Sequence, residues 1–197
     1  MTSTELVSRT RDIHPSFVTF GALAVSAIVV SIVLARRGKA MSWHERIGLF
    51  GLAVYVPFVL GLTLGGIPID VGAADPSRWR GWANLVPFGT IGPQLAAGLE
   101  SDHRQLAGNL LILVPLGFGL PVVWQRFRRL APMFVAGFGV AFVIEFSQIV
   151  ISLILGVPYR VFDVDDLMLN TAGAIIGWVA SRESLGLIPR ASGLSLK

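Results

Sequence analysis

Five long apolar runs constrain this chain of 197 residues more than any other feature, because each run is about as long as a bilayer-spanning helix. The runs cover about 17–35, 47–64, 106–124, 130–155 and 165–181. Charged residues make up only 14% of the chain, whereas an ordinary soluble domain has about a quarter. The sequence therefore predicts an all-α fold, a polytopic bundle of about five transmembrane helices.

One long connection, residues 65–105, stands out among the short loops of this scheme. Its Trp79 and Trp82 are of a type that favours the membrane interface, and its apolar stretch 83–97 argues against disorder. We predict that this connection lies on the outer face of the membrane that the bundle spans, or dips into that face. The chain then divides into a polar segment 1–13, two spans with the start of the loop 14–83, a three-span domain 84–181 and a flexible cytoplasmic tail 182–197.

Basic residues indicate how the bundle is oriented. If the loops at 36–46 and 125–129 and the tail face the cytoplasm, ten of the sixteen Lys and Arg residues lie inside, although the outside has more loop. This distribution follows the positive-inside rule and predicts a cytoplasmic C-terminus. A cleaved signal peptide is the competing interpretation of the first run. We favour a retained span, because the basic residues Arg36, Arg37 and Lys39, not a small-residue cleavage site, follow the run directly.

Composition also excludes several kinds of chemistry. The chain has no cysteine, so disulfides, thiolate catalysis and thiolate-bound metals are ruled out. Its pI near 10.3 would suit a nucleic-acid partner, but the basic residues sit in short clusters beside apolar runs, which is typical of topology signals. We therefore predict membrane lipids, and no nucleic acid, as partners; the oligomeric state is left open.

Polar side chains within or between the last three runs are the main functional signal. Ionisable groups at membrane depth are costly and by default mark a functional site. If the runs cross the bilayer alternately, these residues all lie towards the same, outer face. They are Asn109, Glu145, Gln148 and Asn170 in the runs, Arg160, Asp163, Asp165 and Asp166 in the last gap, and Asn84 in the long connection. The sequence thus predicts one outward-facing polar site.

Three kinds of chemistry fit this group of residues. Glu145 together with Asp166 could act in general acid–base catalysis. Arg160 could bind a phosphate or a carboxylate with two parallel hydrogen bonds. Carboxylate oxygens, those of Asp163 and Asp166 above all, could hold a divalent cation, and this is the one cofactor that the residues suggest. The residues predicted to bind substrate are Asn84, Asn109, Gln148, Arg160 and Asn170.

A structural role is the competing interpretation of the same residues. They could form a knot of hydrogen bonds and salt bridges between helix ends, for example between Arg160 and Asp163. Asp163 or Asp165 could cap the fifth helix, because a carboxylate there accepts a free backbone N–H. For Asp165 alone we favour this capping role over a functional one. Farther along that helix, Gly173 and Gly177 predict a close helix–helix contact of the small-xxx-small kind.

Three blocks of this sequence resemble the VanZ-like family of membrane proteins in their order and spacing. The blocks read NLVPF at 84–88 with TI at 90–91, GNLLILVPLGF at 108–118 closing on Pro121, and EFSQ at 145–148 followed by RVFDVDDLMLNTAG at 160–173 and Gly177. Together they span nearly half of the chain, and their joint order is more specific than any one block. The family's motif residues coincide with the polar group found above.

The resemblance implies where in the cell the protein acts, but it does not imply which reaction the protein catalyses. The family is named for an accessory protein of glycopeptide resistance that is linked to lowered sensitivity to teicoplanin, and its members occur widely in bacteria. The implied location is the bacterial cytoplasmic membrane. A lipid-linked or cell-wall precursor is the ligand that we expect for an outer-facing site, because a pocket at the outer leaflet can reach its head group. A non-catalytic binding or assembly module for envelope proteins is the alternative. A small transporter is less favoured, because five spans without inverted repeats do not suit one.

Overall fold

The computed structural model of the chain describes residues 12–13, 15–65, 67–68, 79–98, 103–158 and 160–186. The predictions for most of the polar segment 1–13 and for the tail from 187 onward lie outside the described residues. So do the parts of the long connection at 69–78 and 99–102.

Helices account for most of the described chain. They are α1 (Pro15–Arg37), α2 (Trp43–Leu64), α3 (Ile91–Ala96), α4 (Arg104–Ile112), α5 (Val114–Val123), α6 (Leu130–Leu155) and α7 (Val164–Ser184), with short 3-10 helices at Gly38–Ala40 and Gln125–Arg128. Two short strand pairs complete the fold: β1 (Asp12–Ile13) is antiparallel to β2 (Ile67–Pro68), and β3 (Ala83–Asn84) is parallel to β4 (Phe162–Asp163). The all-α prediction is confirmed.

Four helical segments of the described chain are long and apolar enough to cross a membrane. They are Thr19–Ala40, Trp43–Leu64, Arg104–Val123 and Leu130–Leu155. The fifth predicted run folds as α7 but is not among them, because Asp165, Asp166 and Asn170 make its first turns polar. The predicted bundle is therefore present, with four apolar spans where about five were expected.

The third predicted run is divided into α4 and α5 at Leu113. This residue has φ −102° and ψ 3°, outside the regular helical geometry, and it serves as the C-cap of α4. Pro115 explains the break, because a proline has no N–H to continue the hydrogen bonds of α4 but is accommodated in the first turn of a new helix. Pro57, by contrast, stays inside a continuous α2.

The core of the bundle lies where α7 packs against α4, α5 and α6. Glycines make this approach close: a Cβ atom at Gly173 would overlap the carbonyl oxygen of Leu110, and one at Gly177 would overlap the carbonyl oxygen of Val114. The predicted small-xxx-small contact is confirmed. It fixes α7, and with it the polar first turns of that helix, tightly against α4 and α5.

Replacing Gly177 by Ala is expected to destabilise the protein, because the new methyl group would meet the backbone of Val114 and α7 would have to move. Overpacking of this kind typically costs about 1–3 kcal/mol. Thermal unfolding of the detergent-solubilised protein measures the effect. Gly139→Ala on α6 is the matched control, since nothing lies within 4 Å of its Cβ position. Equal melting of the two variants would contradict the close contact.

Candidate functional site

A cavity of about 800 Å³ lies between α2, α4, α6 and α7. Its apolar lining comes mainly from α2 and α4. Its polar lining residues are Tyr55, Thr63, Gln105, Asn109, Glu145, Gln148, Arg160, Asp166 and Asn170. Six of these were singled out from the sequence as site residues: Asn109, Glu145, Gln148, Arg160, Asp166 and Asn170. The structure therefore brings most of the predicted group to one place.

Helical periodicity explains why these side chains meet. Residues three or four apart share a helix face, so α6 presents Glu145 with Gln148, and α7 presents Asp166 with Asn170. The polar faces are turned inward: Glu145 is only 3% exposed and Asn170 only 2%. Each helix thus contributes a pair of polar groups to the cavity, and the apolar remainder of the helix lies against its neighbours or outside.

Five buried polar atoms that line this cavity have no hydrogen-bond partner within the described part of the protein. They are Tyr55 Oη, Asn109 Nδ2, Glu145 Oε2, Asp166 Oδ1 and Asn170 Oδ1. Buried polar atoms are nearly always paired, and leaving one unpaired costs about 1–3 kcal/mol. A group of them around a single cavity leaves hydrogen-bonding capacity that a polar ligand or water molecules can fill.

The two carboxylates of the cavity are close enough to interact electrostatically. Glu145 is within range of the negative charge of Asp166 and of the positive charge of Arg160, and it faces the backbone N–H of Asp163. Asp166 lies beside the side-chain amides of Gln105 and Asn109. The cavity therefore combines two acidic groups, one guanidinium and several amides, a set that can orient a polar molecule and exchange protons with it.

Gln148 has a second role, because it also ties two walls of the cavity together. Its Nε2 donates a 3.0 Å hydrogen bond to the backbone carbonyl of Thr63, near the end of α2. This bond joins α6 to α2 across the site. A side-chain amide that bridges two helices is a common structural element in membrane bundles.

A separate group of hydrogen bonds, which we call the loop knot, joins the segment 84–91 to the start of α7. Asp165 is fully buried, and its carboxylate accepts from the backbone N–H groups of Phe88 (2.6 Å), Thr90 (2.8 Å) and Ile91 (2.9 Å). Charge-assisted bonds of this kind are stronger than neutral ones. Asp165 therefore holds the folded part of the long connection against the bundle.

Asp163 completes the loop knot and caps α7. One of its oxygens accepts from Asn84 Nδ2 (3.1 Å) and from the backbone N–H of Asp165 (2.8 Å). The other accepts from Thr90 Oγ1 (2.5 Å). The parallel pairing of β3 with β4 places Asn84 directly opposite Asp163. Of the two residues predicted as possible caps, Asp163 takes the N-cap position. The preference for Asp165 as a cap was wrong, because its carboxylate binds the loop instead.

Two predicted site residues therefore lie away from the cavity. The amide of Asn84, predicted to bind substrate, donates to Asp163 and Thr90, and its oxygen accepts from Val86 N–H. Asp163, predicted as a metal ligand, uses both oxygens within the loop knot. In the part of the chain that the structure describes, no group of three or more His, Asp or Glu side chains could hold a metal ion. The geometry thus gives no support to the divalent-cation prediction, which stays a prediction.

Three polar residues of the cavity were missed from the sequence. Gln105 lies four residues before Asn109 and so shares its helix face, a signal that could have identified it. Tyr55 interrupts the apolar run of α2 with a hydroxyl group, but single tyrosines are common in such runs. Thr63 contributes through its backbone carbonyl, which no sequence pattern reveals.

Comparison with known proteins identifies the family. A family model described as VanZ/LLP1 matches residues 50–185, which is more than half of the chain. The match begins within α2 and ends just beyond α7, so it contains every polar residue that lines the cavity and the whole loop knot. No curated protein and no solved structure matches the chain. The chain is therefore a membrane protein that belongs to the VanZ/LLP1 family.

Proposed function

We propose that this protein acts at the bacterial cell envelope on a lipid-linked or cell-wall precursor whose head group enters the cavity. The observation that carries the proposal is the set of five buried polar atoms without a partner in the described part of the protein, all lining one cavity of about 800 Å³. Such a volume lies within the usual size of small-molecule sites, which are about 300–1,000 Å³. We also propose that the protein contributes to glycopeptide resistance.

In this proposal, different residues of the cavity have different roles. Glu145 acts as the acid–base group, because its Oε2 is buried, unpaired and turned towards the cavity. Asp166 is the second carboxylate and shares the site with it. Asn109 and Asn170 orient the polar parts of the ligand through their unpaired amide atoms. Arg160, at the exposed rim, binds an anionic group such as a phosphate.

Replacing Asp166 by Asn tests this proposal. The change keeps the size of the side chain but removes its charge, so the protein is expected to accumulate normally while complementation of a deletion strain falls to the level of the empty vector. Glycopeptide sensitivity and envelope integrity report function, and quantitative immunoblotting of membranes reports abundance. Glu183→Gln removes an exposed charge outside the cavity and is the matched control. Full complementation by Asp166→Asn would contradict the proposed site.

The alternative function is a non-catalytic module that docks another envelope protein. The observation in its favour is the exposure of large apolar side chains on the described part of the long connection, where Leu85, Val86 and Phe88 are each more than half exposed. Under this alternative, Leu85→Ser combined with Val86→Ser removes function, whereas Glu145→Gln is tolerated. The complementation assay described above separates the two.

A further inference from the structure

The apolar lining of the cavity continues onto the outside of the bundle. Phe58 and Leu62 on α2 and Leu111 on α4 all line the cavity, yet each is more than half exposed. The polar lining residues Glu145 and Asn170, in contrast, are almost completely buried. One cavity therefore runs from an apolar outer surface to a buried polar end.

The arrangement of helices leaves an opening at this place. α2 packs against α1 and α5 and touches α6, whereas α4 packs against α7 and α5. α2 and α4 hardly touch each other, so a cleft remains between them. Both helices belong to segments that are long and apolar enough to cross a membrane, so their exposed apolar side chains suit the lipid hydrocarbon. The cleft between α2 and α4 therefore faces the interior of the bilayer.

We propose that the ligand is a membrane-embedded lipid that enters sideways through the cleft between α2 and α4. Its hydrocarbon chain lies against Phe58, Leu62 and Leu111, and its head group reaches the buried polar end. The inference rests on the proposed function and specifies the class of ligand and its route. The depth of the site agrees with such a route: Glu145 lies ten residues before the end of α6, which is about 15 Å along the helix.

The unpaired atoms of the cavity also define the head group. Three of them, on Glu145, Asp166 and Asn170, are acceptor oxygens when the carboxylates are ionised, so a head group with hydrogen-bond donors such as hydroxyl or ammonium groups would pair with them. Arg160 on the rim suits an anion. The lipid class that satisfies both is a phosphate-bearing lipid whose head group carries donors.

Site-specific photocrosslinking tests the route. The photoreactive residue p-benzoylphenylalanine replaces Leu111 in the cleft or Leu153 on α6, in cells whose phosphate-bearing lipids carry ³²P. The two leucines are equally exposed, at 61% and 63%, but Leu153 does not line the cavity. We expect several-fold more ³²P-lipid on position 111 than on position 153 at equal protein abundance. Equal capture at the two positions would overturn the inference.

The crosslinking result and the complementation result for Asp166→Asn together distinguish failure of the inference from failure of the proposed function. Preferential capture at 111, with loss of function in Asp166→Asn, supports both. If capture is equal while Asp166→Asn still loses function, the cavity is the working site but its ligand arrives from water, and the lipid route is wrong. If capture is preferential while Asp166→Asn functions normally, the cleft binds lipid but the proposed function fails.

Discussion

Replacing Asp165 by Ala is expected to remove most of the folded protein from the membrane. The carboxylate accepts three backbone hydrogen bonds from Phe88, Thr90 and Ile91, and all three donors would lose their partner. A hydrogen bond to a charged group contributes about 1.5–3 kcal/mol, and the total stability of a folded protein is only about 5–15 kcal/mol. The loop knot would therefore open and expose the first turn of α7.

Membrane abundance and thermal unfolding in detergent measure this effect. Asp166→Asn is the sharpest control, because the neighbouring carboxylate has an unpaired oxygen in the cavity and its loss frees no backbone donor of the loop. Asp165→Asn is informative as a second variant, since it keeps the shape but turns an amide N–H towards backbone N–H groups. Normal abundance and an unchanged melting temperature for Asp165→Ala would show that the loop knot does not stabilise the fold.

The contrast between Asp165 and Asp166 shows where sequence reasoning stops. Neighbouring residues of a helix point about 100° apart, so one carboxylate faces the loop and the next faces the cavity. The sequence shows two adjacent acids at a helix start, and the local rule for helix caps applies to either. The choice depends on Phe88 and Thr90, more than seventy residues away, which no local rule connects to them.

Most of the fold could be predicted because it depends on local composition. Run length and hydropathy predicted the helices, and the spacing of Gly173 and Gly177 predicted the close contact of α7. Asn109, Glu145, Gln148 and Asn170 could be predicted as cavity residues because a polar group within an apolar run is expected to face the interior of the bundle. Arg160 and Asp166 were predicted from the gap between the last two runs. Asn84 was misplaced because it lies in a connection whose partner strand β4 was not recognisable as a strand.

The hydrogen-bond pattern divides the predicted polar group into two functional classes. Asn84, Asp163 and Asp165 satisfy one another and the loop, so they explain why the long connection is held at the start of α7. Glu145 and Asp166 keep oxygens that no residue in the described part of the protein satisfies. Mutations of the first class should reduce abundance, and mutations of the second should reduce function at normal abundance.

Glu145→Gln is expected to abolish complementation while the protein accumulates at the wild-type level. Glutamine fills the same space but cannot exchange a proton, and loss of a positioned acid–base group typically lowers a rate about 10²–10⁴-fold. Stability should change little, since Oε2 has no partner to lose among the described residues. The measurement is complementation of the deletion strain at matched membrane abundance, with Glu183→Gln as the control for loss of an exposed carboxylate.

Lipid capture by a photoreactive residue at position 111 distinguishes proton transfer from binding in the Glu145→Gln variant. If Glu145 exchanges protons with a bound head group, capture persists while complementation is lost, because the donors of the head group can still reach Asp166 and Asn170. If Glu145 only binds, capture and complementation fall together. Wild-type complementation by Glu145→Gln would rule out the acid–base role and favour the docking module, in which the exposed apolar side chains of the long connection carry the function.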